Sequence, residues 1–80
     1  MKVIDLEKTI YELIKEYPEI TDVVVALGHK DITNNIVLQF WGSITTLPKA
    51  AAANGRSLDE LIQLLKDMDF DIVHADSFIE

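Results

Sequence analysis

Between Thr46 and Leu65 the chain reads TLPKAAAANGRSLDELIQLL, a stretch that specifies two short helices and the turn between them. Thr46 can cap the first orphan amides, and Pro48 falls in the first turn, where a missing N–H costs nothing and a fixed φ is already helical. Ala50 to Ala53 follow with the best intrinsic helix propensity, and their small side chains let a neighbouring helix approach closely. Asn54-Gly55 ends this helix, because glycine accepts the left-handed conformation of a helix C-terminus without a Cβ clash. Ser57 and Glu60 then form a capping box ahead of Leu58, Leu61, Ile62, Leu64 and Leu65, whose spacing makes one apolar stripe.

Upstream the same grammar repeats. Lys2 to Leu6 is a short alternating entry, extended in character. Thr9 and Glu12 form another capping box, opening a helix to about Tyr17 that buries Ile10, Leu13 and Ile14. Pro18 ends that helix, since the residue before proline avoids the helical region, and starts the next one, from Pro18 to Leu27, with Glu19 and Asp22 near its positive end. Val23, Val24 and Val25 lend it β-branched character. Gly28 closes it. His29 to Asn35 reads as a polar loop, Asn34 or Asn35 caps a third helix through Ile36, Leu38, Phe40 and Trp41, and Gly42-Ser43 ends it. Asp67 to Ile72 alternates acid and apolar residues, which favours an extended segment with Met68, Phe70 and Ile72 on one face. The reading is therefore all-α: a single domain over residues 1–80, a small orthogonal bundle of about five short helices with short extended segments at the termini.

Eighty residues with 49% hydrophobic content can form one core. There is no cysteine, which removes disulfides, thiolate metal sites and cysteine nucleophiles together. The N-terminus lacks the basic-then-apolar profile of a secretion signal, and no apolar run nears the ~20 residues of a membrane span, so a cytoplasmic protein is expected. Most of the net charge of −7 arises after Arg56, where seven acids face Lys66 alone. Such an end repels nucleic acid and anionic membrane and suits a basic protein partner. A helix-turn-helix reader is disfavoured for the same reason: the second helix of the central pair begins SLDELIQ, with Arg56 alone before it.

The order T-I-Y-E-L, Y-P-E-I, A-L-G, a polar loop, T-L-P-K-A-A and S-L-D-E-L-I-Q-L-L resembles the hybrid-cluster-protein-associated redox disulfide domain family, over roughly Leu6 to Phe70. The resemblance implies a short all-α domain of unknown function, found alone or fused to hemerythrin-like and PAS-type sensor regions, with a link to iron or redox regulation. In cysteine-bearing members a C-x-x-C follows the glycine that ends the second helix. Here those positions carry Asp31 and Asn34, so no dithiol cycle follows from the resemblance.

No catalytic set stands out: there is no nucleophile–base pair, carboxylate dyad or phosphate-cradling glycine loop, and Ser43, Ser57 and Ser77 lack an activating arrangement. Asp67, Asp69 and Asp71 have the opening spacing of a calcium loop without its glycine or distal glutamate, so they read as a solvated acidic face. His29 is a single donor where stable metal sites need three or four, and reads as an exposed loop residue. Phe40 and Trp41 suggest either a partner anchor or one ring in the core with the other capping its edge. The chain is accordingly expected to be a non-enzymatic helical interaction module without metal or cofactor, able to self-associate and to dock on a hemerythrin-like, PAS or other redox-regulatory protein. Its contact residues would be His29, Lys30, Asp31, Asn34, Phe40, Trp41, Asp67, Asp69 and Asp71. The alternative is a small-molecule, metal or haem binder with His29, and His74 across a dimer, as ligands.

Overall fold

A computed structural model describes residues 2–74, in the order β1 (Lys2–Asp5), α1 (Ile10–Glu16), α2 (Ile20–Ala26), a 3₁₀ turn (Lys30–Thr33), α3 (Asn35–Phe40), α4 (Leu47–Ala53), α5 (Leu58–Asp67) and β2 (Phe70–Val73). Asp76, Ser77 and Glu80 lie outside the described residues.

The helix starts are made by their own caps. Thr9 Oγ1 accepts from the Glu12 amide while the Glu12 carboxylate accepts from the Thr9 amide, both at 3.3 Å, which is a complete capping box. The remaining amides of that turn reach across the fold: Ile10 donates to the Thr45 carbonyl at 2.8 Å and Tyr11 to the Gly42 carbonyl at 2.9 Å. Every orphan donor of α1 is thus satisfied, and the α3–α4 connection is tied to α1 in the process. Thr46 caps α4 and Ser57 caps α5 as their positions predict. The second half of the Ser57 box takes another form, since the Glu60 carboxylate accepts from Arg56 Nη1 at 3.3 Å.

The chain is not all-α. β1 and β2 form a parallel two-stranded sheet in the register Lys2↔Phe70, Val3↔Asp71, Ile4↔Ile72, Asp5↔Val73. Extended segments were expected at both ends; their pairing was not, because period-two alternation reveals a strand's faces but not its partner some seventy residues away. Parallel strands need a long crossover, and here the five helices supply it. Ile4 and Phe70 point into the helices and are buried. The acidic segment also divides differently from its alternation: α5 continues to Asp67, Met68 is its C-cap, and the strand begins only at Phe70. Asp69 makes the break at φ +65°, the left-handed position that an aspartate tolerates better than most side chains.

Ile10 and Leu13 of α1, Ile20 and Val24 of α2, Leu47 and Ala50 of α4, and Leu61 and Leu65 of α5 form the centre of the core. Ala50 and Ala51 are buried while Ala52 and Ala53 face solvent, so half of the alanine run serves close packing and half serves propensity. The polar loop from His29 to Asn35 contains a core residue, Ile32, set inward by the 3₁₀ turn. No helix among the described residues is long and apolar enough to cross a membrane.

Candidate functional site

α2 ends in a Schellman arrangement. Gly28, at φ +101°, donates to the Val25 carbonyl at 2.9 Å, and His29 donates to the Val24 carbonyl at 3.2 Å. α4 ends the same way, with Gly55 at φ +71° bonded to Ala52 at 3.1 Å and Arg56 to Ala51 at 2.9 Å. The two ends are locked together by Asn54, whose Nδ2 donates to the Leu27 carbonyl at 2.9 Å. That amide lies so close to Gly28 that a Cβ there would sit 2.6 Å from Nδ2.

This lock positions His29. The tightened end of α4 turns the Asn54 amide to Ala51 and Ala52, so the Ala50 carbonyl loses its usual i+4 donor. His29 Nε2 takes that place at 2.7 Å. A carbonyl only accepts, so Nε2 carries the hydrogen and Nδ1 keeps the lone pair in the neutral ring. The Asn54 amide, 3.3 Å from the same nitrogen, is then a packing neighbour, its hydrogen bond directed at Leu27. The imidazole also lies tilted on Trp41, with centroids 4.7 Å apart and planes at 37°. Gly28, His29, Lys30, Asp31, Ile32, Val37 and Trp41 line an open cleft of about 350 Å³. His29 is therefore a half-buried structural latch rather than an exposed loop residue.

Of the residues singled out by the sequence, the cleft gathers His29, Lys30, Asp31 and Trp41. Asn34 is spent as the cap of α3, its Oδ1 accepting from the Ile36 amide at 2.9 Å. Trp41 packs against the core edge, and Phe40 stands 72% exposed. Asp67 accepts from Gln63 Nε2 at 2.8 Å, one turn back on α5. Asp69 and Asp71 border a separate shallow depression with Ile62, Lys66, Phe70 and Ile72. The acidic segment and the His29 cleft share no lining residue.

His74, at φ +64° just past β2, pairs with Asp5 at the end of β1, Nδ1 to Oδ1 at 2.7 Å. The hydrogen bond, and then the charge of Asp5, raises His74 above the ordinary histidine value; the same bond, with the Glu7 amide, holds Asp5 below the usual carboxylate range. Glu7 brings a third ligand-type atom, a carboxylate oxygen, within 4.8 Å. These groups, Asp5 half-buried and the other two exposed, are of the kinds that hold divalent cations, and Asp5 and His74 already bond one another. His74 is thus engaged at the strand ends, away from the cleft residues.

Ile36, on the third helix, and Ile44, after it, carry no motif that marks them as site residues. They are 66% and 74% exposed, and with Phe40 they place three large apolar side chains in water at a spacing of four. No residue of α3 is fully buried; Val37 and Leu38 turn only partly inward. The signal that could have found this face is charge: from Ile32 through Pro48 the chain carries none, within a protein whose residues are 26% charged.

A family model described as Domain of unknown function (DUF1858) matches residues 4–62. No curated protein and no solved structure matches the chain.

Proposed function

From the premise that this chain belongs to the family Domain of unknown function (DUF1858), we propose that it is a non-enzymatic interaction module whose contact face is centred on α3. The observation that carries the proposal is the exposed Ile36, Phe40 and Ile44 within a stretch free of charge. Apolar surface of this extent is often functional on a small protein, and an exposed aromatic at its middle is the residue type that anchors interfaces. The polar machinery near His29 is engaged in holding α2 against α4, which is a scaffold's use of hydrogen bonds.

The relationship to redox disulfide domains, and with it a hemerythrin-like or PAS-type regulatory partner, belongs to this proposal as its finer part. Its support is the motif order alone; Asp31 and Asn34 exclude a thiol mechanism in this chain. A cytoplasmic setting likewise accompanies the reading. A second reading, a small ligand held by the cleft, draws on the lone pair of His29 Nδ1 and the Trp41 ring beside it. A ligand band or added mass lost on His29→Ala would favour it.

The test of the module is site-specific photo-crosslinking in the full chain, with a photoreactive amino acid in place of Phe40 and, as control, in place of exposed Asp59 on α5. Covalent protein adducts from position 40 and not from position 59 are expected. Equal labelling from both positions, or none from either, rejects α3 as the contact face.

A further inference from the structure

We infer that the occupant of the α3 face is a second copy of this chain, in an isologous dimer; the inference rests on the interaction reading and names its partner. The first argument is electrostatic. Two copies each carrying a net charge of −7 repel wherever their acidic surfaces approach. Ile36, Phe40 and Ile44 belong to the charge-free run from Ile32 to Pro48, bordered by Lys30 and Asp31 beside Val37 and Trp41, so like copies meet fewer opposing carboxylates there than at Asp67–Asp71. A basic partner would instead gain most at Asp67, Asp69 and Asp71.

The second argument is symmetry. In an isologous contact, residue i meets residue j and j meets i. Ile36 lies on α3 and Ile44 in the turn that follows it, on either side of Phe40 in the chain; with Phe40 on the two-fold axis, the inferred contact sets each Phe40 against its mate and each Ile36 against Ile44 of the second copy. The third is area. Three large side chains exposed by about two-thirds or more present on the order of 400 Å² of apolar surface. Doubled across a dimer and rimmed by Asn35, Gln39 and Ser43, this reaches the lower range of stable interfaces, roughly 1,200 Å² in total. Finally, α3 is six residues long with none fully buried, too short to be stable on propensity alone. A second copy supplies the packing its outer face lacks.

The experiment is sedimentation velocity on the full chain from micromolar to near-millimolar concentration, at low and at high salt. The expected result is a species of twice the 9.0 kDa protomer mass that grows with concentration and with salt, because salt screens the net repulsion. Phe40→Glu, which places two carboxylates on the axis, should weaken the dimer by about 100-fold or more, with an unchanged circular dichroism spectrum since the ring is exposed. Val3→Glu, at an exposed position on β1, should leave it intact. The symmetry has its own test: Ile44→Glu should weaken the dimer, and I36K/I44E should recover it by setting opposite charges face to face, whereas I36E/I44E should not. Monomer throughout the series, or a dimer indifferent to Phe40→Glu, overturns the inference. If the chain is monomeric while position 40 still crosslinks to a different protein, the second copy is wrong and the module stands; if position 40 is also silent, both fall.

Discussion

Replacing Gly28 by alanine tests whether the end of α2 is held as described. At φ +101° an L-residue is strained by about 1–3 kcal/mol. The added Cβ would also meet Asn54 Nδ2 at 2.6 Å. Asn54 must withdraw, and its 2.9 Å bond to the Leu27 carbonyl is lost at about 1 kcal/mol. Against this, alanine lowers the entropy of the unfolded chain, which returns about 0.4–1 kcal/mol. The net expectation is a destabilisation of about 1–3.5 kcal/mol, or a fall in Tm of roughly 5–25 °C for a domain of this size. Urea unfolding followed by circular dichroism should show the midpoint falling with the slope unchanged. Repeating the substitution in an Asn54→Ala background removes the clash and leaves only the backbone strain, so Gly28→Ala should cost about 1 kcal/mol less there. A single-mutant cost below about 0.5 kcal/mol, or strict additivity of the two changes, would refute the interlock of α2 and α4.

The Asp5–His74 pair predicts a stability maximum in mildly acidic solution. His74, raised, contributes stability that is fully present below its unfolded value, about 6.5, and is lost as pH rises through its folded value. Asp5, lowered, contributes stability that is present above its unfolded value, about 3.8, and is lost as pH falls through its folded value. Melting temperature against pH should therefore lose slope on both sides in Asp5→Asn, and the His74 titration followed by NMR should return toward the ordinary value; an unmoved titration argues against the pair. Glu12→Ala removes half of a complete capping box and should cost about 0.5–1 kcal/mol, whereas Glu60→Ala, which loses only an exposed contact with Arg56, should stay within about 0.5 kcal/mol in the same denaturation assay. Phe70→Ala empties a buried site on β2 and breaks the edge-on contact with Tyr17 at 5.2 Å; a loss of about 3–5 kcal/mol by urea unfolding is expected, and one below about 1 kcal/mol would mean β2 is not closing the core.

What could be read from the sequence was what is decided within one turn of chain. Thr9, Thr46 and Ser57 cap because their hydroxyls reach amides three residues on, and Gly28 and Gly55 stop helices because they lack a Cβ; each is a local event with a local signature. The strand pairing was hidden because nothing in Lys2–Asp5 identifies Phe70–Val73 as its partner. Asp69 was hidden because its left-handed turn is a glycine's role filled by aspartate, and Ile32 because a single inward residue has no period to betray it. At the candidate site, the latch on His29 depends on Ala50, a carbonyl on another helix, released by the way that helix ends. Phe40 and Trp41 are adjacent and similar, so only the packed structure separates the ring that fills the core edge from the one left in water.

The sheet also bears on where the family's match stops. Residues 4–62 include the first four helices and half of α5, but not β2. Yet Ile4 and Leu6, at the start of that span, are fully buried, and β2 is the strand that pairs with β1 and inserts Phe70 beside Tyr17. A two-stranded sheet is marginal by itself. This one is held because Ile4 and Phe70 add to a helical core, while Lys2, over the Phe70 ring and bridged to Glu19, covers its outer end. The family's match thus runs from within β1 to the middle of α5, and the strand beyond it pairs with the strand in which the match begins.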